Sequence, residues 1–240
     1  MTFPTSDISR NKTARIAGIL WFIIIVTGIF AEFFVRAGLI VPGDAATTAG
    51  NILANEWLFR VGIVSDLFMG ACFVLLAWTL YILLKPVNKD IALLFVVIAA
   101  ISITIQCINM VNQVAALQIL TNPGLAQAFS TGQLHALMMF FLDMHRYGYT
   151  IDAIFYGGWL FPLGYLVYQS GFLPKISGIL LMAACIGDWI GVAQVFLFPG
   201  FEVITYPGFL VAVIAEFTFC GWLMVKGVKE SEQVLPEASS

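Results

Sequence analysis

Asp143-Met144-His145-Arg146-Tyr147-Gly148-Tyr149-Thr150-Ile151-Asp152 is the stretch on which the fold turns. Only 10% of the 240 residues are charged, yet this segment holds Asp143, Arg146, Asp152 and one of the two histidines. It stands at the mouth of an apolar run, where ionisable groups are costly to keep. Gly148 offers a place for the chain to break. The preceding piece, 133–144, is apolar but too short to cross a bilayer, which takes roughly 20 residues. We therefore expect a short helix lying on the outer membrane interface, followed by a span over 149–168. The other reading of the same residues is a helix that runs straight on and protrudes.

Outward from this stretch the chain is uniformly apolar. The hydrophobic fraction is 60% and the mean hydropathy +0.95, against roughly 45–50% apolar residues in a soluble domain. So much apolar surface calls for lipid as the solvent. The spans expected are 16–39, 58–84, 91–120, 149–168, 176–198 and 206–225, an all-α, polytopic bundle of six transmembrane helices. The 16–39 run is too long for a signal-peptide core and lacks an A-x-A-like cleavage site, so it reads as an uncleaved span. Pro42-Gly43-Asp44 ends it, and Asp44 is placed to cap a short helix reaching Asn55. Trp57 suits an interface anchor. Pro162 predicts a kink in the fourth span. The domain reading is a tail over 1–14, one transmembrane domain over 15–228, and a tail over 229–240.

The basic residues orient the bundle. Arg10, Lys12, Arg15, Lys85, Lys89, Lys175, Lys226 and Lys229 fall on one side, eight of the eleven and all six lysines. The positive-inside rule then places both termini in the cytoplasm of a multi-pass cell-membrane protein. Arg15-Ile16-Ala17-Gly18-Ile19-Leu20 is echoed by Lys175-Ile176-Ser177-Gly178-Ile179-Leu180, both entering from that side. An inverted transporter repeat is thereby excluded.

Arg36, Arg60 and Arg146 are left at the outer ends of spans. Arginine stays charged and presents a planar fork suited to carboxylate or phosphate. Glu32 lies four residues before Arg36, so the two share a helix face. Asp66 is two turns inward of Arg60. Asn109, Asn112 and Gln113 form a polar patch in the third span. Tyr149 and Asp152 lie at the start of the fourth, Asp188 is deeper in the fifth, and Glu216 is near the middle of the sixth. Ionisable groups within spans thus crowd the outer half, and such groups usually face the bundle interior and find partners. The expectation is an outward-opening pocket with Glu32, Arg36, Arg60, Asp66, Asn109, Asn112, His145, Arg146, Tyr149, Asp152 and Asp188 as its ligand-binding residues. His145 is expected within reach of a carboxylate, Asp66 or Asp152. The competing reading is structural: Glu32–Arg36 as a mere intrahelical pair, Arg60 and Arg146 snorkelling to headgroups, His135 on the surface.

Several chemistries are excluded. The isolated Cys72, Cys107, Cys185 and Cys220 form no CxxC pair and read as packing residues, so no metal site or cofactor is implied. H-E-x-x-H, G-x-S-x-G and G-x-x-x-x-G-K-[ST] are absent. Gly187-Asp188 partly matches an intramembrane aspartyl protease signature, but Cys185 stands where that signature has glycine. Gly187-x-x-x-Gly191 reads as a packing face. The net charge of -3 gives no sign of nucleic acid. The partners expected are the bilayer and a small anionic or zwitterionic solute or lipid headgroup. The alternatives are an intramembrane enzyme using Asp66, His145 or Asp152, or a helix-packing or sensor subunit without a ligand.

Beyond these physical signals, several motifs carry a resemblance. Lys12-Thr13-Ala14-Arg15-Ile16-Ala17-Gly18, Ala31-Glu32-Phe33-Phe34-Val35-Arg36, Leu58-Phe59-Arg60-Val61-Gly62-Ile63-Val64-Ser65-Asp66, His145-Arg146-Tyr147-Gly148-Tyr149 and Ser170-Gly171-Phe172-Leu173-Pro174-Lys175 occur in this order. Together they resemble the prokaryotic membrane family known as domain of unknown function 4386, from about Lys12 to Val228. The resemblance implies a multi-helix membrane protein and supplies no activity. Members often carry a histidine near the position of Trp159, which this chain lacks, and Pro162 is atypical.

Overall fold

The computed structural model describes residues 5–229. The tail expected over 229–240 lies, beyond Lys229, outside the described residues. Every long element is a helix, and no strand occurs among the described residues.

Helix α1 (Thr5–Ile29) starts ten residues ahead of the expected boundary at 15. Its beginning is tied down rather than left as a tail. Asn11 Oδ1 accepts from the Val228 backbone at 2.9 Å, and the Arg10 guanidinium lies 5.7 Å from the Phe172 ring centre. α1 continues as a π-helical segment (Phe30–Arg36) and ends in a single turn, α2 (Ala37–Leu39). A short helix, α3 (Ala45–Ala54), follows. Asp44 caps it as expected, accepting from the Thr47 backbone N–H at 2.9 Å, and the helix stops at Asn55.

Helices α4 (Glu56–Leu84) and α5 (Lys89–Thr121) form an antiparallel pair. α6 (Pro123–Ala128) is a short connector. α7 (Thr131–Gln169) runs unbroken for 39 residues, about 58 Å at 1.5 Å per residue. α8 (Lys175–Leu197), a 3₁₀ turn (Glu202–Thr205) and α9 (Tyr206–Val225) complete the chain. Each long helix packs on the next, and α9 returns to α1, so α1, α4, α5, α7, α8 and α9 close a ring.

The ring is filled around its middle by aromatic side chains. Trp159 of α7 sits centrally, with ring centres 5.5 Å from Trp21, 4.9 Å from Phe73 and 6.3 Å from Phe95. Phe219 meets Trp21 edge-on. Trp159 is thus a core residue, its indole 1% exposed. Outward-facing positions are apolar too, with Phe34, Trp57, Leu197 and Phe209 well exposed. Five helical segments are long and apolar enough to cross a membrane: Arg10–Leu39, Glu56–Leu84, Lys89–Thr121, Lys175–Leu197 and Glu202–Val225. An apolar exterior on helices of this length makes the chain a multi-pass membrane protein.

The separate interfacial helix is corrected. Residues 133–144 belong to α7, and Gly148 does not break it. A Cβ at Gly148 would lie 2.0 Å from Asn109 Oδ1, so the glycine serves to admit the Asn109 side chain from α5. The early part of α7 is also held in place. Met138 and Leu142 are buried in a second apolar cluster with Ile52, Phe59, Leu117 and Val35.

Glycines elsewhere mark close helix contacts. Gly164 and Gly178 face each other, and a Cβ on either would come 2.6 Å from the other's carbonyl oxygen. Gly18, the counterpart of Gly178 in the sequence echo, meets the backbone of Met224 in the same way. Gly187 packs on Gly208, whereas Gly191 touches nothing within 4 Å, so only the first glycine of that motif forms a packing face. Cys72, Cys185 and Cys220 are buried, Cys107 is half-buried, and all four are free thiols.

Candidate functional site

The π-helical segment Phe30–Arg36 shapes the site. A π turn holds one more residue than an α turn and commonly occurs at functional positions. Here it carries Glu32 and Arg36 at the end of the first long helix, where Arg36 is 8% exposed. Arg36 Nε donates to Glu32 Oε2 at 2.7 Å, and Nη1 donates to Asp66 Oδ2 on α4. The guanidinium also lies 5.5 Å from the Tyr149 ring centre, on α7. Tyr149 OH in turn points at the other Asp66 oxygen, at 3.5 Å. Three helices therefore converge on one buried cation, and its second terminal nitrogen, Nη2, makes no hydrogen bond among the described residues.

Beside Arg36 is a cavity of about 820 Å³ between the end of α1, the loop into α3, and α7. Glu32, Arg36, Asp143, His145, Arg146 and Tyr149 supply its polar wall, and Ile40, Pro42, Met139 and Leu142 the apolar one. This volume and composition fall in the range of small-molecule sites. At the rim Arg146 lies 3.5 Å from Asp143, a contact between two exposed side chains.

His145 is 4% exposed and is not beside a carboxylate, contrary to the sequence expectation. Its Nε2 lies 2.7 Å from Gln113 Nε2, and its Nδ1 3.4 Å from the Asn109 carbonyl oxygen. With Gln113 donating to Nε2, Nδ1 carries the ring proton and donates to the Asn109 carbonyl oxygen, which satisfies a neutral imidazole. Because α7 stays helical through Gly148, Asp152 remains two turns from His145, and Asp66 is taken by Arg36. Asn109 Nδ2 donates to the His145 carbonyl oxygen at 2.8 Å, and Asn112 donates to Asn109 Oδ1 at 2.9 Å. Asn109 thus bolts α5 to α7 behind the cavity, Asn112 braces it from within α5, and neither lines the cavity.

The remaining expected residues divide. Arg60 pairs with Glu56 at 2.6 Å on the exposed face of α4 and takes no part in the cavity. Asp66 lies just behind the wall as Arg36's counter-ion. Asp152 and Asp188 sit deeper. Asp188 packs against Gly157, where a Cβ would come 2.6 Å from the Asp188 Cβ. Glu216 Oε2 accepts from Tyr156 OH at 2.9 Å and Trp21 Nε1 at 3.2 Å. Sequence reasoning missed the roles of Ser102 and Gln106. With Asn109 and Gln113 they form a polar stripe at i, i+4, i+7 and i+11 along α5, which is one helix face.

The comparisons with known proteins supply a family and no activity. An "Uncharacterized protein" of Archaeoglobus fulgidus is 33% identical over 165 residues, 67% of this chain and 80% of that protein. No solved structure matches. Residues 16–227 match the profile of a family described as Domain of unknown function (DUF4386), which spans all six long helices of the ring. The chain is a member of that family.

Proposed function

We propose that this protein binds a small zwitterionic or anionic solute, or a lipid headgroup of that chemistry, in the cavity beside Arg36. One observation carries the reading: a buried guanidinium, fixed by Glu32, Asp66 and Tyr149, forms part of the wall of a largely apolar cavity. A fixed arginine with a donor left over suits a carboxylate or phosphate. Glu32, with its side chain 56% exposed, and Asp143 at the rim suit an ammonium group of the same ligand. The ligand-binding set narrows to Glu32, Arg36, His145, Arg146 and Tyr149, with Asp66 as the support. The enzyme reading loses support because His145 has no carboxylate partner among the described residues.

On the positive-inside rule the cavity opens away from the cytoplasm, α7 crosses as the fourth of six spans, and both termini are cytoplasmic in a cell membrane. The packing at the lysine-rich end is consistent with this. Lys229 donates its backbone N–H to the Phe172 carbonyl oxygen at 2.9 Å, so both chain ends meet the α7–α8 turn there.

Native mass spectrometry of the purified protein tests the ligand reading. The expected result is a retained small molecule bearing a carboxylate or phosphate, lost in Arg36→Gln. Retention of nothing by the wild type, together with no thermal shift from phospholipids, amino acids or carboxylates, would leave the cavity as packing and favour the subunit without a ligand.

A further inference from the structure

Below the Arg36 site, three helices enclose a level at which two buried acceptor atoms, Asp152 Oδ1 and Gln106 Oε1, have no hydrogen-bond partner among the described residues. Tyr149–Asp66 bounds it on one side, and Tyr156–Phe73, with ring centres 5.8 Å apart, bounds it on the other. On α7 Asp152 lies between Tyr149 and Tyr156; on α4 Gly70 lies between Asp66 and Phe73. Asp152 and Gly70 therefore occupy the same level of the ring. Gly70 leaves room for about a methyl group there, for a Cβ at that position would be in ordinary contact with Cys107 Sγ at 3.4 Å, Gln106 Oε1 at 3.6 Å and Ile103 at 3.9 Å. From α5 come Gln106, whose Oε1 is thus against Gly70, and Ser102, whose hydroxyl lies against the Asp152 carboxyl.

Asp152 is 3% exposed and Gln106 7%, yet Asp152 Oδ1 and Gln106 Oε1 have no hydrogen-bond partner among the described residues. Two buried acceptors without donors cost several kcal/mol in this setting, by the usual order of magnitude for unpaired polar groups. Ser102, hydrogen-bonded to Asp152, and Gln106 lie one turn apart on α5, so a positive charge reached by both oxygens would remove both costs at once. No basic side chain of the described residues acts on Asp152. The titratable groups around this level are Asp66 on α4, Cys107 on α5, Tyr149 and Tyr156 on α7, Asp188 on α8 and Glu216 on α9. Arg36 is already shared by two carboxylates. No three His, Cys, Asp or Glu side chains gather as metal ligands among the described residues. One carboxylate with an amide oxygen and a hydroxyl matches a single positive charge and a hard, oxygen-seeking ion.

We infer that Asp152, Gln106 and Ser102 form a binding site for one monovalent cation, a sodium ion or a proton, at the level of Gly70. The site is distinct from the solute cavity, and its test reads a different quantity. Unfolding of the detergent-purified full chain would be followed at pH 8 in sodium chloride and in choline chloride of equal ionic strength, and in choline chloride from pH 5 to 8. A single bound cation should raise the midpoint by about 2–4 °C or more. A rise with sodium at pH 8 identifies sodium; a rise only on acidification identifies the proton. Either response must disappear in Asp152→Asn, which carries a permanently neutral side chain of the same shape. Equal responses in wild type and Asp152→Asn, or none in the wild type, overturn the site. A second measurement needs no variant. A hydrophobic carbodiimide should modify wild-type Asp152, as mapped by peptide mass spectrometry, with suppression by sodium or by raising the pH. Failure to label Asp152, or labelling indifferent to both, also overturns it.

Discussion

Arg36, on the π-helical end of the first long helix, is bound to Asp66 thirty residues later on the neighbouring one, with both side chains at or below 9% exposure. Its second bond, to Glu32, reaches a carboxylate whose side chain is 56% exposed. The two pairs should therefore differ in strength. Breaking a buried pair costs about 3–5 kcal/mol because a charge is stranded, while exposed pairs are worth about 0–1 kcal/mol. In double-mutant cycles of unfolding in detergent, Arg36→Ala with Asp66→Ala should show strong coupling, the double variant being more stable than Arg36→Ala alone. The cycle with Glu32→Ala should show coupling several-fold smaller. Equal couplings would mean that Arg36 is solvated from the cavity and its bond to Asp66 contributes little.

The glycines supply a steric test of the ring. Gly178→Ala places a methyl 2.6 Å from the Gly164 carbonyl oxygen, which belongs to backbone and cannot rotate away. Overpacking of this kind costs about 1–3 kcal/mol. Gly191, in the same helix, has nothing within 4 Å of an added Cβ. Gly191→Ala should be neutral or stabilising by up to about 1 kcal/mol, through helix propensity. Comparable losses at both positions would argue that α8 makes a further contact, with lipid or another chain, at Gly191.

How much of this could be read beforehand depended on whether the signal was local. The apolar runs gave the long helices because the length needed to cross a bilayer is fixed by its thickness. Asp44 gave its cap because Thr47 lies in the adjacent turn. Glu32 and Arg36 were legible as neighbours at i and i+4. Their partner Asp66 was not, because the π segment and the neighbouring helix together decide where the guanidinium points. Gly148 misled for a related reason. Glycine marks both chain breaks and close approaches, and only the position of Asn109 on another helix tells them apart. Arg60 looked equivalent to Arg36 in sequence. Glu56, four residues before it on the exposed face, holds it outside the cavity.

The α3 cap predicts a pH dependence. The Thr47 hydroxyl, and then its backbone N–H, hold the exposed Asp44 carboxyl below the usual carboxylate range. A depressed folded-state value means that the stabilisation is present above the unfolded value near about 4 and is lost as pH falls through the folded one. The difference in unfolding midpoint between wild type and Asp44→Ala should be constant from about pH 7 to 5 and shrink below about pH 4. A difference that persists unchanged to lower pH would assign the effect of Asp44 to packing rather than to its charge.

Topology has a direct test. Single cysteines at Ser6 and Ser239, the latter outside the described residues, would be introduced after replacing the four free thiols. The eight basic residues at that end predict that neither position is labelled by an impermeant maleimide applied to intact cells. Labelling at both would invert the bundle and open the Arg36 cavity to the cytoplasm.

Tyr149 separates two ways of holding Arg36. Its ring centre lies 5.5 Å from the guanidinium and 5.0 Å from the His145 ring, whereas its hydroxyl reaches Asp66 only at 3.5 Å. A hydrogen bond of that length is weak. A cation over an aromatic face is worth about 0.5–1 kcal/mol when exposed and about 2 when desolvated. The ring, more than the hydroxyl, should therefore fix the guanidinium against the cavity. Tyr149→Phe keeps the ring and should change little in stability or in retention of the small molecule proposed to bind beside Arg36. Tyr149→Leu removes the aromatic face while leaving apolar bulk, and should weaken retention by about tenfold, as a loss of roughly 1.4 kcal/mol requires. Thermal unfolding and native mass spectrometry on the two variants give both readouts. If Tyr149→Phe is as damaging as Tyr149→Leu, the hydroxyl's contact with Asp66 governs the site, and the arginine is positioned through its counter-ion instead.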